Sequence, residues 1–270
     1  MDEQIQFHGF PIAGVDPMRA STARSFPRHT HDQFGVGVVD DGRHASWSDS
    51  GAVEAGPGDF ITVNPGEVHD GRARADQRRT WRILYFEPSL LESLRSDVAD
   101  TQTSSFRFQA PVFSDGRLLP LFNQLFRFGT APANPSSGNM PCETATLLLI
   151  AGLRLQFTGK PDNLPRALPS VRRALARIDA DPAAPLTLAE LASEAGVSRF
   201  QLLRGFAREL GLTPHAYVIQ QRIALARRLI RARVPLPEAA LASGFCDQSH
   251  LHRCFLRQFG VTPGRYATYT

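Results

Sequence analysis

The stretch ASGFCDQSHLHRCF at residues 242–255 decides how the C-terminal part of this chain folds. Gly244 interrupts a short apolar run. Asp247 suits an N-cap, because its carboxylate accepts a hydrogen bond from the first turn of a helix. In that helix Leu251 and Phe255 are spaced so that both face the core. The pattern therefore predicts a helix, a tight glycine turn and a second, amphipathic helix.

The same unit occurs earlier in the chain. Gly211-Leu212-Thr213-Pro214 returns 49 residues later as Gly260-Val261-Thr262-Pro263, and the same offset relates Leu202, Arg204, Phe206 and Leu210 to Leu251, Arg253, Phe255 and Phe259. An internal repeat of this kind indicates one structural unit that is used twice. We therefore predict two helix-turn-helix units.

Capping signals place the helices of the earlier unit. Thr187 with Glu190 forms a capping box that opens its first helix, and Gly196 ends that helix. Ser198 with Gln201 forms a second box that opens the next helix. The turn between the two helices is therefore predicted to be tight.

A long helix is predicted between the two units. Thr213 suits its N-cap and Pro214 its first position, and the helix runs through Arg233, roughly 20 residues or about 30 Å. One turn of B-DNA is about 34 Å long. A helix of this length can therefore separate the two units so that the second helix of each lies in one of two successive major grooves.

The polar face of each second helix carries side chains suited to DNA. Arginine pairs with guanine, and glutamine with adenine, through two hydrogen bonds in the major groove. The outward positions are Gln201, Arg204 and Arg208 in the first unit and Gln248, Ser249, His252, Arg253 and Arg257 in the second. Phosphate groups position a protein without reading sequence. The side chains best placed for phosphates are Ser198, Arg199, Arg208 and Arg257.

The charge distribution favours the same interpretation. Residues 1–165 carry 15 Lys and Arg against 19 Asp and Glu, a net of −4, whereas residues 166–270 carry 15 against 7, a net of +8. A small basic domain is typical of proteins that neutralise phosphates. Basic helices also occur in modules that bind acidic proteins, and such a module would show no preference among DNA sequences. The repeated polar face favours DNA.

Residues 186–266 resemble the DNA-binding domain of the AraC/XylS family of transcriptional regulators. The resemblance is carried by residues 242–255, by Phe259-Gly260-Val261-Thr262-Pro263 and by Tyr266. It implies a domain of seven helices. It also implies base contacts from Phe200, Gln201, Leu203 and Arg204 and from Gln248, Ser249, His252 and Arg253. Leu203 departs from the family, which often has a polar side chain there.

The first ninety residues predict a small β-structure. Residues 34–39, 60–63 and 81–86 are runs of β-branched and aromatic residues, and Asp-Gly, Gly-Pro-Gly and Asn-Pro-Gly turns separate them. Several short strands at this spacing indicate a barrel. After it, two helices are predicted from apolar stripes at Leu118, Leu121, Phe122, Leu125 and Phe126 and at Leu147, Ile150, Leu153, Leu155 and Phe157.

Two segments of this half resemble the halves of a cupin motif. They are His-Thr-His-Asp at residues 29–32 and residues 58–70, which include Asn64-Pro65-Gly66-Glu67-Val68-His69-Asp70. The resemblance implies an α+β chain of two domains, an N-terminal cupin-like β-barrel with accessory helices and a C-terminal all-α domain with two helix-turn-helix units. It also implies an effector pocket lined by His29, His31, Glu67 and His69.

A metal site is one interpretation of these histidines. An HxH motif on a strand puts both imidazoles on one face, and His29, His31 and His69 together can hold a metal with open positions. The glutamate that metal-binding cupins usually supply is absent, since residues 33–36 read Gln-Phe-Gly-Val. The alternative is that these histidines have a structural role and line a pocket without binding a metal. We therefore expect no resident cofactor, and a metal-dependent cupin enzyme with an appended helical domain is the competing functional class.

The predicted domains are an effector-binding domain at residues 1–160, a linker at residues 161–168 and a DNA-binding domain at residues 169–270. Residues 129–139, rich in Pro, Ala and Ser, are predicted to form a loop. Family resemblance implies that the helices after the barrel pair two subunits into a homodimer. It also makes activation, through contact with RNA polymerase, the expected mode of action.

The remaining features predict a cytoplasmic protein that is not an enzyme. No apolar stretch approaches the roughly 20 residues that span a bilayer, and the N-terminus is acidic and polar, unlike a signal peptide. The three cysteines, Cys142, Cys246 and Cys254, lack the spacing of a zinc site and are predicted to be reduced. The predicted partners are double-stranded DNA, a small-molecule effector and RNA polymerase.

Overall fold

The computed structural model describes residues 4–48, 51–73, 77–98, 107–130, 139–153, 156 and 168–269. The chain divides into two compact units, one within residues 1–162 and one within residues 163–268. Several predictions lie outside the described residues, namely Leu155, Phe157, most of the loop at 129–139 and all but the last residue of the linker at 161–168. The predicted domain boundaries therefore stay predictions.

The N-terminal unit is a β-structure with helices. Its described strands are β1 (Gln4–Phe7), β2 (Val15–Thr22), β3 (Phe26–His29), β4 (Phe34–Asp41), β5 (His44–Ser48), β6 (Gly51–Ala55), β7 (Phe60–Val63), β8 (His69–Gly71), β9 (Arg79–Phe86) and β10 (Val112–Phe113). Its described helices are α1 (Pro88–Val98), α2 (Leu118–Thr130) and α3 (Met140–Leu153). The three predicted strands and both predicted helices are present.

The strands form one large antiparallel sheet and two small ones. The large sheet has the order β1-β2-β9-β4-β7-β10, and the small sheets are β3-β8 and β5-β6. A single bridge between Ala45 and Arg72 joins β5 to the end of β8. Within the described ranges these ladders do not hydrogen-bond into one closed barrel, although the β-rich fold with accessory helices is the predicted one.

The two faces of the large sheet have different partners. On the outer face, Val36 pairs with Leu84, and both belong to a core that includes α2 and α3. Arg82 on this face lies over the rings of Phe122 and Phe126 of α2. Since neighbouring strand residues alternate in direction, the residues between these face inward, toward the small sheets. Those of β9 are Arg79, Trp81, Ile83 and Tyr85.

The C-terminal unit is all-α, as predicted. Its described helices are α4 (Pro169–Ala180), α5 (Leu188–Ala195), α6 (Arg199–Leu210), α7 (Pro214–Arg231), α8 (Leu236–Ala242), α9 (Gln248–Phe259) and α10 (Pro263–Ala267). The seven helices that the family resemblance implies are therefore present among the described residues. The pairs α5-α6 and α8-α9 are the two helix-turn-helix units. α7, which was predicted to reach Arg233, ends at Arg231, and Arg233 has a positive φ of 63°.

Each second helix is held by its predicted apolar stripe. In the first unit Leu202 and Phe206 of α6 are fully buried in a core that also contains Val171 of α4. In the second unit Phe255 of α9 is fully buried, and its ring lies 5.5 Å from that of Tyr266 of α10. None of the helices in the described ranges combines the length and the apolar composition that crossing a bilayer requires.

Gly244→Ala is expected to destabilise the second helix-turn-helix unit. Gly244 has a φ of 84°, and a Cβ there would lie 2.8 Å from the Cα and the carbonyl oxygen of Ala183. The left-handed conformation alone costs a non-glycine residue about 1–2 kcal/mol. Overpacking against backbone adds about 1–3 kcal/mol. Urea unfolding of the full chain, followed by far-ultraviolet circular dichroism, measures the sum.

Gly196→Ala is the matched control. Gly196 ends α5 with a φ of 71°, but a Cβ there would approach only the flexible end of Arg173, at 3.4 Å. This variant should therefore show the cost of the left-handed conformation without the clash. Equal destabilisation by the two substitutions would contradict the role of the contact with Ala183.

Candidate nucleic-acid interface and effector site

The start of α6 is fixed by the predicted capping box. The Ser198 hydroxyl accepts a hydrogen bond from the backbone N–H of Gln201 at 3.2 Å, and Oε1 of Gln201 accepts one from the N–H of Ser198 at 2.9 Å. The box uses the amide oxygen of Gln201. Bidentate pairing of this side chain with adenine would require that oxygen to leave the cap.

The outer face of α6 has an apolar and a cationic part. Phe200 is 66% exposed, and Leu203 is also exposed. The Arg204 guanidinium lies over the Phe200 ring, 5.6 Å from its centroid. Phe200, Leu203 and Arg204 therefore form one exposed surface of mixed apolar and cationic character. The structure therefore brings all four predicted base-contact residues of this helix to one solvent-facing end.

The start of α9 is capped as predicted. Oδ1 of Asp247 accepts a hydrogen bond from the backbone N–H of His250 at 2.6 Å, and Gly260 ends the helix in the left-handed conformation. The His250 ring packs edge-on against buried Phe245 at 5.1 Å, which fixes how the helix is rotated. This rotation leaves the four predicted base-contact residues of the second unit exposed, namely Gln248, Ser249, His252 and Arg253.

The predicted phosphate-binding side chains are also on the surface. Ser198, Arg199, Arg208 and Arg257 are all exposed. Arg208 forms an ion pair with its neighbour Glu209 at 2.7 Å. Because exposed ion pairs contribute little free energy, this pair does not prevent Arg208 from binding a phosphate.

Within the C-terminal unit, Arg222 connects the long helix α7 to the loop that precedes the first helix-turn-helix unit. Arg222 of α7 donates to the carbonyl oxygens of Pro182 and Ala184 at 2.8 and 2.9 Å. Gly244, in the turn of the second unit, packs on Ala183 between those two residues. The long helix, the loop that precedes α5 and the α8-α9 turn therefore meet at one place. Displacing one of them disturbs the other two.

Three predicted pocket residues of the N-terminal unit converge. His29 and His69 are paired residues of β3 and β8, and the rings of His29, His31 and His69 lie 4.4–4.9 Å apart. All three are buried. Their potential ligand nitrogens lie within 4.8 Å of one another, and these three residues form the one such group of three among the described residues.

The backbone brings His31 to the cluster in a different way from the predicted one. The sequence predicts that both residues of the HxH motif lie on one strand, but β3 ends at His29 and His31 follows it. The backbone N–H of Gly66 donates to the His31 carbonyl at 2.7 Å. The turn before β8, and not a strand ladder, therefore fixes the backbone of His31.

Backbone carbonyls orient two of the rings. Nδ1 of His29 lies 2.7 Å from the carbonyl oxygen of Pro27, and Nδ1 of His69 lies 3.0 Å from that of Glu67. A carbonyl oxygen can only accept, so each Nδ1 carries the proton and each Nε2 keeps its lone pair. Burial lowers the pKa of His29 to about 3, with His69 as a further cause, and burial also lowers the pKa of His69. Both imidazoles are therefore neutral near pH 7.

Glu67, the fourth predicted pocket residue, is turned away from this cluster. Its Oε2 accepts hydrogen bonds from the backbone N–H and the side-chain amide of Asn64, at 3.1 and 2.8 Å. The carboxylate closes the turn before β8, because a buried carboxylate must find donors close by. Of the predicted pocket residues, the structure therefore brings together the three histidines.

Two polar residues beside the cluster, Arg79 and His44, were not predicted from the sequence. Arg79 is fully buried on the inner face of β9, and its Nε donates to Nδ1 of His44 at 3.2 Å. Its Nη2 has no hydrogen-bond partner. Burial lowers the pKa of Arg79 to about 10. The predicted strand began at Trp81, whereas β9 begins at Arg79. Because residues two apart on a strand share a face, a longer predicted strand would have placed Arg79 on the same face as Trp81.

Comparison with known proteins agrees with both units. The family profile of the AraC-like ligand binding domain matches residues 13–138, and a helix-turn-helix domain profile matches residues 191–269. The HTH-type transcriptional regulator YbfI of Bacillus subtilis is 25% identical over 254 residues, which cover 93% of this chain and 88% of YbfI. The HTH-type transcriptional regulator MtrA of Neisseria gonorrhoeae is 37% identical over 79 residues, covering 28% of this chain and 26% of MtrA.

A solved structure has the same two-domain fold. ToxT of Vibrio cholerae, crystallised with a bound unsaturated fatty acid, superposes with a TM-score of 0.54 at 11% sequence identity, covering 99% of this chain and 95% of ToxT. At this identity the likeness shows the fold alone.

These findings define a transcription regulator with an N-terminal ligand-binding domain and a C-terminal helix-turn-helix domain that binds DNA. The chain belongs to the AraC/XylS family of transcriptional regulators.

Acid is expected to destabilise the N-terminal unit through His44. Burial, with Arg79 and His69 facing it, lowers the pKa of His44 from 6.5 to about 3. Between these two values the unfolded chain binds a proton that the folded chain does not, so the free energy of unfolding falls as the pH is lowered from about 6.5. Both tryptophans of the chain, Trp47 and Trp81, lie in this unit, so their fluorescence reports its unfolding.

His44→Gln keeps an acceptor for Arg79 and removes the titrating group. The variant should therefore take up about one proton less on unfolding in this pH window. This proton uptake is the slope of the free energy of unfolding against pH, and urea titrations at several pH values with a chelator present measure it. An identical slope in the variant and the unaltered protein would contradict the prediction.

Proposed function

We propose that this regulator acts in the cytoplasm as a homodimer whose N-terminal domains bind a small-molecule effector and thereby change how two DNA-binding domains engage a promoter. The proposed domain limits are residues 1–160, a linker at 161–168 and residues 169–270. The observation that carries the DNA-binding residues is the repeated surface of α6 and α9. Both helices are capped at the start, ended by a left-handed glycine and exposed along the same face.

In the second unit, Gln248, Ser249, His252 and Arg253 are proposed to contact bases. Arg253 and His252 are both exposed on α9. Arg253 has the geometry for bidentate pairing with guanine. It is therefore the residue most suited to discriminate one base pair.

In the first unit, Phe200, Gln201, Leu203 and Arg204 are proposed to contact bases in a different manner. Phe200 and Leu203 offer apolar surface, which suits the methyl group of thymine. Gln201 holds the N-terminal cap with its oxygen, so its free amide N–H groups are what it can offer to a base. We propose that this helix reads mainly by shape and methyl contacts and that α9 reads mainly by hydrogen bonds.

Phosphate contacts are proposed for Ser198, Arg199, Arg208 and Arg257. Ser198 lies at the N-terminus of α6, where unpaired N–H groups and the helix dipole favour an anion. These contacts would fix the position of the domain on the duplex and would contribute equally on any sequence.

The effector is proposed to bind inside the N-terminal domain, between the inner face of β9 and the small sheets. His29, His31 and His69 line this interior, together with the neighbouring Arg79 and His44. Buried polar groups in an apolar surrounding are costly, so their clustering supports a binding role. Glu67 is proposed to act indirectly, by shaping the turn. ToxT, which has the same fold, was crystallised with a bound unsaturated fatty acid, and this is compatible with a small-molecule effector here.

The proposed mechanism is regulatory and not enzymatic. The relatives named above are transcriptional regulators, which supports this assignment over a cupin enzyme with an appended domain. An effector changes promoter occupancy only if it binds two states of the protein with different affinities. Activation, through contact with RNA polymerase, is the proposed direction.

A homodimer is proposed to form through α3, beside α2. α3 buries Leu149 and Ile150 in the core, yet it also exposes Met140, at 75%, and Leu148, at 49%. Leu147 of the predicted stripe is only half-buried. Glu143 and Thr144 are also exposed on α3, so Met140 and Leu148 are the apolar side chains that this helix offers to a second subunit.

Arg253→Ala is expected to weaken binding to the cognate site by about 1–3 kcal/mol and to relax selectivity at one base pair. Binding should be measured by fluorescence anisotropy with a site obtained by selection from random DNA. Single-base variants of that site identify the position at which selectivity is lost.

Arg257→Ala is the matched control, on the same helix. It should weaken binding to cognate and random DNA alike and reduce the dependence of affinity on salt by about one phosphate contact. If Arg253→Ala also weakened both kinds of DNA equally, Arg253 would be a phosphate contact and the proposed base reading would be wrong.

Leu148→Glu is expected to shift the dimer toward monomer, because it places a charge in the proposed apolar interface. Sedimentation velocity over a range of concentrations measures the change. Leu241→Glu makes the same substitution at an exposed leucine of α8 and should leave the dimer intact. A monomeric unaltered protein, or equal effects of both variants, would contradict the proposal.

A further inference from the structure

We propose that His29, His31 and His69 bind one divalent transition-metal ion and that the open coordination positions of this ion take an anionic effector. The metal site stands on the geometry of the three histidines. The part that concerns the effector rests on the proposed function, in which a ligand of this domain controls DNA binding.

The three side chains are close enough to share one ion. Their potential ligand nitrogens lie within 4.8 Å of one another. Nitrogens bound to one tetrahedral ion, each about 2.1 Å from it, lie about 3.4 Å apart. Each imidazole therefore needs to move inward by less than about 1 Å, which small side-chain rotations provide. Imidazole nitrogen is a preferred ligand of zinc, iron, nickel and copper.

The surroundings orient the rings as metal ligands. The carbonyl oxygens of Pro27 and Glu67 hold Nδ1–H of His29 and His69, so that the lone pair of each Nε2 is free for an ion. Metal-binding histidines usually donate their second N–H to such a group, which fixes both the tautomer and the direction of the ring. Any buried imidazole N–H needs an acceptor, but here the two acceptors are placed so that the Nε2 atoms, and not the Nδ1 atoms, are left for an ion.

No carboxylate within the described residues completes the ligand set. Glu67 is bonded to Asn64, and Asp70, next to His69, accepts hydrogen bonds from the backbone N–H of Trp47 at 2.7 Å and from Arg72 at 2.7–2.9 Å. Three neutral imidazoles leave the ion with its full positive charge. They also leave at least one coordination position open, as in catalytic zinc sites. An anion is the ligand that balances this charge.

Arg79 adds a second cation on the same side of β8. Gly71 is two residues after His69 on this strand, so the two positions share a face. A Cβ at Gly71 would lie 3.5 Å from Nη2 of Arg79, the nitrogen without a hydrogen-bond partner. A buried guanidinium N–H that lacks a partner is costly. An anion bound to the ion and within reach of Arg79 would satisfy both groups.

Metal titration of the full-length protein tests the site. The protein is dialysed against a chelator and titrated with Co²⁺, whose visible absorption distinguishes tetrahedral histidine coordination from free aqueous ion, and then with Zn²⁺ in competition. We expect one ion per chain, the spectrum of a low-coordinate nitrogen site and displacement by Zn²⁺. An absorption spectrum that stays that of the aqueous ion would overturn the proposal.

Variants show whether the three histidines are the ligands. His31→Gln and His69→Ala should each weaken Co²⁺ binding at least tenfold, while His8→Gln, at a histidine elsewhere in the same unit, should leave it unchanged. Tryptophan fluorescence verifies that each variant is folded. If the unaltered protein and all of these variants bound Co²⁺ with equal affinity, the ion would bind elsewhere and the proposed site would be wrong.

Azide tests the open position. Azide coordinates divalent metal ions as a small anion, so its addition to the Co²⁺-loaded protein should change the visible spectrum saturably. Arg79→Gln should weaken azide binding while the spectrum of the Co²⁺ site before azide persists. An unchanged spectrum on azide addition would overturn the proposed anionic ligand. Binding to selected DNA is measured separately, so loss of the metal site and loss of DNA binding are distinguishable outcomes.

Discussion

The rotation of α6 and α9 about their own axes is the constraint on which the DNA-binding surface depends. A helix presents a chosen face to a groove only if both its ends and its buried stripe fix it. Side-chain oxygens of Ser198 and Asp247 start the two helices, and the left-handed glycines Gly211 and Gly260 end them. Between these ends the buried stripe determines which residues face outward. The outward-facing polar residues are therefore positioned by the caps of each helix and by the buried stripe on its opposite side.

A comparable constraint shapes the N-terminal unit. Along β9, alternate residues face α2 or the small sheets, so a shift of one residue would exchange the two environments. Leu84 and Phe86 fill the outer core, whereas Arg79 and Tyr85 face inward. The Tyr85 ring lies 5.1 Å from that of His31, which joins the large sheet to the histidine cluster. The outer face packs on α2, whereas the inner face brings Arg79 and Tyr85 close to histidines of this unit.

Features that depend on residues close in sequence could be predicted from the sequence. The capping boxes at Thr187 and Ser198 involve residues three apart, and the structure has both. The convergence of the histidines was also predicted, although the reason was partly wrong, because the turn at Gly66 holds His31. Contacts between distant residues could not be predicted in this way. The hydrogen bond from Arg79 to His44 depends on how β9 meets β5, which no local pattern encodes.

The position of the histidines suggests how a bound ligand could bias the domain. His29 ends β3, His31 lies in the segment that follows, and His69 begins β8, so one ion would join three segments that otherwise meet through a few hydrogen bonds. Any ligand that binds only the folded arrangement stabilises it in proportion to the logarithm of its concentration. Such stabilisation becomes a regulatory signal only where a second arrangement, in which the three imidazoles lie apart, is also populated. The short pairing of β3 with β8, which is interrupted between Phe26 and His29, is the element of this unit best suited to differ between two such arrangements.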